Sequence, residues 1–378
     1  MIPKLYAFDA SSANKTEKTG VEWYAYQIIE QLKKHPLESN ERVILYSPSK
    51  LEADLSELPK QWQSQILKWP LSRGWMQGRV SWEMLRRAPE VLFVPSQGLP
   101  RIRGKAKTIN TIHDLGPLRL PQMYQSGFAR QVASVTKRSV KKADKLFAVS
   151  EFTKQELVDY YKIPADKIVV TPNAADQSVY KKLDQTICSK VLDQHRLGQN
   201  FFLSVGRITA HKNIGTLIRA FEIFKSERGA GDPFELVIVG NPGFGASQVK
   251  ELYEYSPHKD SIRMLGYLEA SEIAALMNCA QAFLSPSYYE GFGVPNLEAM
   301  ACGCPVIASD IPVFKEVCGQ AATFAAPSEP EAWALAMKRL VADPAAREQM
   351  KLSGFENVKR YSWDKTADIV LREMRKMT

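Results

Sequence analysis

The sequence predicts an α/β protein built from two doubly wound parallel sheets. Strand-like and helix-like segments alternate through both halves, apolar runs such as Phe201–Val205 suit buried strands, and 378 residues are long for one core but comfortable for two. In the first half, strands are expected at Lys4–Phe8, Arg42–Ser47, Val91–Val94, Thr108–Ile112, Lys145–Val149 and Ile168–Thr171, with a helix from Val21 to Lys34. In the second half they are expected at Phe201–Val205, Glu235–Val239, Ile262–Leu265, Ala282–Leu284 and Pro305–Ala308. Gly206 ends the first of these, and Ile214, Leu217, Ile218 and Phe221 then recur at helical spacing. Residues 1–172 and 201–360 form the two expected domains, and the polar run 173–200, without a long apolar period, contains the expected linker. In the closing segment 361–378, Trp363, Ile369, Val370 and Met374 can form an apolar helix face.

Composition is that of an ordinary globular protein, with 45% hydrophobic and 24% charged residues. Residues 1–10 hold an apolar run broken by Lys4 and Asp9, too short for a secretory core and read as a first strand. No apolar run approaches the ~18 residues of a membrane span. Five cysteines, scattered without a disulfide or zinc pattern, fit a reducing cytoplasm.

Charge is uneven: residues 1–185 hold 29 Lys and Arg against 19 Asp and Glu, while the remainder holds 21 against 22. Lys137, Arg138, Lys141, Lys142 and Lys145 recur at three- and four-residue steps, which puts much of this charge along one helix side. Residues 129–146 lack interleaved aromatics and any nucleic-acid reading motif, so nucleic acid is not an expected partner. Solvent is the bland partner for such a face, and a peripheral contact with the anionic cytoplasmic leaflet is the favoured one. Trp62, Trp69, Trp75 and Trp82 add amphipathic bulk nearby, which core packing explains equally well.

Two motifs carry chemistry. The stretch Tyr289–Met300 combines Glu290, the Gly291-Phe292-Gly293-Val294 hinge, Pro295 and Glu298. The glycines let backbone N–H groups approach a ligand, and Pro295 suits a first helical turn whose positive end attracts phosphate. Glu298 is expected on that first turn, so two carboxylates can accept hydrogen bonds from separate hydroxyls of a polyol. Taken alone, this is equally a helix start with an acid offsetting the dipole. The second motif is Phe201–Asn213, where Arg207 and Lys212 stand at a strand's carboxyl end, the ligand edge of open α/β sheets. A guanidinium fork and a compact ammonium suit a diphosphate, whereas either cation alone in a turn is usually just solvated. His113 also follows an apolar strand, and Gly20 lies in the loop after the first strand. The Gly240–Gly245 run has the wrong glycine spacing for a dinucleotide loop. No Asp-x-Asp cluster or His/Asp set stands ready for Mg²⁺ or Mn²⁺, and no metal or cofactor is expected.

The two motifs in this order resemble family-4 retaining glycosyltransferases of the GT-B fold, in the wording of bacterial polysaccharide mannosyltransferases. Thr111–Leu115, Ala148–Thr153, Pro172-Asn173, Val239-Gly240, Leu265–Tyr267 and Cys304–Ala308 are similar to further family segments in the same order. Thr19-Gly20-Val21 departs from the family's Gly-Gly turn, and Asn173-Ala174 departs from its Asn-Gly. The resemblance implies two Rossmann-like domains facing across a cleft, with the closing helix crossing back to the first domain. It implies catalytic roles for Arg207, Lys212, Glu290 and His113, with Glu298 taking ribose. Gly20 and Gly291 to Val294 would approach donor, and Gly266 and Tyr267 the base. The reaction implied is hexose transfer from a nucleotide sugar to a glycan or lipid-linked hydroxyl, with GDP-mannose the favoured donor and UDP-sugars behind it. A sugar-nucleotide epimerase or a non-catalytic binding protein on the same scaffold stays open at this point.

Overall fold

The computed structural model describes residues 4–71, 73–96, 98–229 and 231–378. The chain divides into two compact units. The first comprises residues 1–115, 130–173 and 362–378, and the second residues 116–129 and 174–361.

The first unit holds a seven-stranded sheet whose pairings are all parallel. Its strands are β1 (Lys4–Asp9), β2 (Glu41–Ser47), β3 (Trp62–Ile66), β4 (Val91–Val94), β5 (Lys107–Ile112), β6 (Lys145–Ala148) and β7 (Ile168–Val170), in the spatial order β3-β2-β1-β4-β5-β6-β7. The apolar strands β1, β4 and β5 form the middle of the sheet and are buried on both faces, as parallel sheets between helices must be. Strand β3, Trp-Gln-Ser-Gln-Ile, was not among the expected strands. It lies at an edge, where only Trp62 is buried, so it carries no apolar run to read.

The helix Trp363–Lys376 belongs to this unit and packs against the helix Gly20–Leu32. Arg375 grips the fully buried carboxylate of Glu41 bidentately, Nε to Oε1 at 2.8 Å and Nη2 to Oε2 at 2.7 Å, and Thr366 Oγ1 donates to the Pro172 carbonyl at 2.8 Å. Its packing face is Trp363, Thr366, Ala367, Val370, Leu371 and Met374; Ile369 is turned outside this buried stripe. The planar guanidinium fork satisfies both oxygens of a carboxylate that burial would otherwise disfavour.

The second unit holds a six-stranded, all-parallel sheet in the order β10-β9-β8-β11-β12-β13. These are β8 (Phe201–Val205), β9 (Glu235–Val239), β10 (Ile262–Gly266), β11 (Ala282–Ser285), β12 (Val306–Ser309) and β13 (Ala322–Ala325). The short edge strand β13, Ala-Thr-Phe-Ala, was also outside the expected set. The core gathers Phe202, Phe224 and Phe234, whose ring centroids lie 5.2 to 5.4 Å apart, against the buried stripe Leu217, Ile218 and Phe221 of the helix Ile214–Ser226. Within the stretch expected as linker, residues Gln185–His195 form a helix, capped by Asp184 accepting from the Thr186 N–H. Only Cys188 and Leu192 of that helix are buried, which explains why no apolar period marked it.

Candidate functional site

The centre of the second unit's site is a turn at the carboxyl end of β8. Gly206 (φ 145°) ends the strand, residues 210–212 make a single 3₁₀ turn, and Asn213 (φ 57°) opens the next helix in the left-handed region. The Asn213 amide donates to the carbonyls of Pro286 at 3.0 Å and Pro327 at 2.6 Å, while its Oδ1 accepts from Thr216 Oγ1 at 2.8 Å. Every polar atom of that side chain has a task, so the turn and Lys212 before it are held firmly.

A second loop buttresses the first. Ile208 N–H donates to Asn241 O at 2.9 Å, Gly243 N–H to Ile208 O at 2.8 Å, and Ala210 N–H to Phe244 O at 2.8 Å. Gly240 (φ 144°) lies so close that a Cβ there would collide with the Gly206 carbonyl oxygen. The glycines of 240–245 thus serve to support the cation-bearing turn.

Lys212 Nζ lies 2.6 Å from Glu290 Oε1, and the buried Ser287 hydroxyl donates to the same oxygen at 2.7 Å. Burial alone would raise the Glu290 carboxyl. The charge of Lys212, the field of His211 and these two hydrogen bonds outweigh it and hold the group below its ordinary value, ionised. Val205, Gly206, Lys212, Glu290, Gly293 and Pro295 line one pocket. Burial pushes the neighbouring His211 imidazole down to about 4, so it is neutral near pH 7.

Gly293 (φ 95°) is the N-cap of the helix Val294–Ala301 and packs where a Cβ would strike the Phe314 ring. Gly291 and Phe292 are buried, and the Phe292 ring meets Tyr361 edge-on at 5.4 Å. Glu298 is the fifth residue of that helix, one turn deeper than the first-turn position expected for it. Burial first, and then the Asp176 carboxylate, push its carboxyl up to about 8. Tyr180 also feels Glu298, and burial heads the causes that raise its phenol. Arg207 is exposed. Gly266 closes β10, its carbonyl accepting from Gly240 N–H at 2.6 Å, and Tyr267 beyond it is 58% exposed.

In the first unit, His113 follows β5 and is buried. Its Nε2 donates to the Pro95 carbonyl at 2.7 Å, its ring meets Tyr24 edge-on at 5.0 Å, and burial lowers it to about 4. It is a neutral imidazole whose Nδ1 keeps its lone pair. Gly20 is the first residue of its helix, without positive φ and with open space where a Cβ would sit. The backbone therefore does not require glycine there.

Asp176 and Ser287 were not picked out from sequence. Ser287 carries a weak signal, as the hydroxyl of Ser285-Pro286-Ser287 directly after β11, whereas Asp176 lies 122 positions before Glu298 with nothing local to connect them.

Residues 192–356 match the family model described as Glycosyl transferases group 1, and residues 18–179 match Glycosyltransferase Family 4. The chain is 30% identical over 287 residues to O-antigen chain mannosyltransferase B of Escherichia coli, covering 76% of this chain and 74% of that one. It is 31% identical over 262 residues to O-antigen chain mannosyltransferase RfbU of Salmonella typhimurium strain LT2, covering 69% and 67%. Sucrose-phosphate synthase from Thermosynechococcus elongatus superposes with a TM-score of 0.76 at 18% identity over 99% of each chain. Anabaena Alr3699/HepE in complex with UDP-glucose does so with 0.75 at 15% identity, again over 99% of each. Two parallel-sheet α/β units of this kind define the GT-B glycosyltransferase fold. The chain belongs to glycosyltransferase family 4, whose members are retaining hexosyltransferases.

Proposed function

We propose that the protein transfers mannose from GDP-mannose to a hydroxyl of a glycan or lipid-linked acceptor in polysaccharide biosynthesis, using Arg207 and Lys212 to hold the leaving diphosphate. The observation that carries this reading is the Lys212–Glu290 pair at 2.6 Å, beside the Gly293 N-cap and in one pocket with it. The mannosyltransferase names of the relatives at 30% and 31% identity support the sugar. UDP-glucose and UDP-N-acetylglucosamine are the competing donors.

In this reading the ammonium of Lys212 is shared between Glu290 and the diphosphate. The exposed Arg207 swings onto the phosphates, and the N–H groups around Gly293 and Val294 add the positive end of a helix. Glu290 accepts hydrogen bonds from sugar hydroxyls, with Gly291 and the Phe292 backbone beside it. Glu298 accepts from the ribose hydroxyls, and Gly266 and Tyr267 meet the base edge. His113, neutral with an open Nδ1, accepts from a hydroxyl of the transferred sugar, and the loop at Gly20 approaches the donor phosphate or the acceptor.

The acceptor oxygen attacks the anomeric carbon on the face from which the diphosphate departs. The carbon–oxygen bond to the phosphate breaks with its electron pair going to the diphosphate, and the acceptor proton passes to that departing oxygen. No protein base is required, and the burden is leaving-group charge, where one preorganised group typically contributes about 10²–10³ in rate.

Among the described residues no helix is long and apolar enough to cross a membrane. Lys137, Lys141 and Lys142 on the helix Ser126–Lys142 are exposed, and Arg138 is half-buried. Lys145 is not on that helix: it opens β6, donates to Asp166 O at 3.2 Å and pairs with Glu373 at 3.7 Å. The four helix cations support a cytoplasmic enzyme, peripheral at the anionic inner face of the membrane, acting on a membrane-proximal acceptor. Acceptor-dependent release of GDP from GDP-mannose, compared with release of UDP from UDP-sugars, tests the donor. Faster turnover of a UDP-sugar would replace mannose.

A further inference from the structure

On the first unit, the basic stretch of the sequence and one of its tryptophans converge on a single face. The short helix Ser81–Arg86 buries Ser81, Glu83 and Met84. It turns Trp82 and Leu85 outward, 55% and 56% exposed. Positions three apart on a helix share a face. Ile102, 43% exposed, stands beside them, since its N–H donates to Ser81 Oγ at 3.2 Å and lays the following loop along that helix. Three large apolar side chains on one small patch need a reason that a single exposed leucine would not.

The charge around them is positive. Residues 79–105 contain six Lys and Arg against Glu83 and Glu90, and both acids are engaged. Glu83 pairs with Arg79 at 2.8 Å, and Glu90 accepts the Leu5 N–H at 2.5 Å. Next to Ile102 opens a cavity of about 290 Å³ with Arg101, Arg103, Lys141 and Lys142 in its walls. Arg103 is held by Asp144, and Lys142 Nζ donates to the Arg101 carbonyl at 3.3 Å. Among the described residues no carboxylate pairs with Arg101 or Lys141.

We propose that this face docks on an anionic lipid bilayer, with Trp82, Leu85 and Ile102 entering the boundary between headgroups and acyl chains while Arg101 and Lys141 take a lipid phosphate into the cavity. The chemistry selects this occupant. A second copy of the chain would bring the same positive charge against itself, and a polynucleotide would leave Leu85 and Ile102 without apolar partners. Lipid headgroups over acyl chains supply both halves at once. The inference deepens the membrane-side reading above and rests on it. It differs in making apolar insertion at Trp82, Leu85 and Ile102, and not adsorption by the helix Ser126–Lys142 alone, the anchor.

Co-sedimentation of the full-length protein with phosphatidylcholine vesicles, with and without phosphatidylglycerol, tests it without any sugar donor or acceptor. The protein should bind the phosphatidylglycerol vesicles, and part of that binding should survive raised salt, because inserted apolar groups are not screened. Trp82→Ser/Leu85→Ser/Ile102→Ser and, separately, Arg101→Glu/Lys141→Glu should each lower the partition coefficient at least about tenfold, with unchanged thermal denaturation midpoints. Undiminished binding by the first variant would overturn insertion while leaving simple adsorption standing. Absence of binding by the unmodified protein would overturn both. Concentration-dependent dimerisation lost in the first variant, without vesicle binding, would assign the face to a second copy and also overturn the proposal.

Discussion

Lys212 Nζ and Glu290 Oε1 stand 2.6 Å apart across 78 positions of sequence, and the Ser287 hydroxyl shares that oxygen at 2.7 Å. The pair ties the cation turn after β8 to the glycine hinge before the helix Val294–Ala301. Binding and local stability are therefore coupled at one contact. Removing the lysine strands a carboxylate that burial disfavours, whereas removing both partners does not.

Lys212→Ala should accordingly destabilise the protein by about 1–3 kcal/mol, the cost of leaving a buried polar group without its partner, and Lys212→Ala/Glu290→Ala by less. Denaturant titration of the four members of the cycle checks this. Equal loss in the single and double variants would mean that the pair carries no coupling.

Glu290 and Glu298 should separate functionally. Glu298→Ala is expected to weaken binding of a nucleoside diphosphate lacking sugar, and Glu290→Ala to impair transfer while leaving that binding nearly unchanged. Calorimetric titration with the nucleoside diphosphate alone distinguishes them, and equal losses would contradict the assignment.

The Glu298 carboxyl also sets a pH dependence. Its ordinary value is 4.5, and burial with Asp176 nearby pushes it up to about 8. Between those values the folded state holds a proton that the unfolded chain has released, so stability falls as pH rises through this window and levels off above it. Glu298→Gln cannot titrate and should be the more stable protein at the upper end relative to the lower. Denaturation midpoints of the two proteins across the window read this directly, and parallel curves would refute it.

Glycines should divide by position. Gly240→Ala meets a backbone carbonyl at positive φ and is expected to cost at least about 1–3 kcal/mol, together with activity. Gly20→Ala enters open space at a helix start and should be neutral or stabilising, by up to about 1 kcal/mol. If the loop approaches the donor phosphate or the acceptor as proposed, Gly20→Ala will slow transfer without lowering the melting temperature.

Much of the fold was legible because its central strands are apolar runs bounded by turn residues, as at Phe201–Val205 and Val91–Val94, which form as expected. The edge strands Trp62–Ile66 and Ala322–Ala325 were not, since an edge needs little apolar surface and leaves little pattern. Lys212, Glu290 and Gly293 stood out because a cation after an apolar strand and an acid beside a glycine hinge before a helix are local patterns. Glu298 was misplaced by a turn although Pro295 does sit in the first turn, because the helix begins at Val294 and Glu298 is already its fifth residue. Lys145 fitted a helical spacing that in fact runs past the helix end at Lys142 into β6. Asp176 acts on Glu298 from 122 positions away, which local sequence does not encode, whereas Ser287 meets Glu290 only three residues on and left a weak local signal.

The central claim is that Arg207 and Lys212 stabilise the charge of a departing nucleoside diphosphate. Its most direct test is the single-turnover rate of acceptor-dependent GDP release from GDP-mannose by Lys212→Ala and Arg207→Ala, with donor saturating. The account predicts that each falls by about 10²-fold or more while the fold is retained. Rates near that of the unmodified protein in both variants would contradict it.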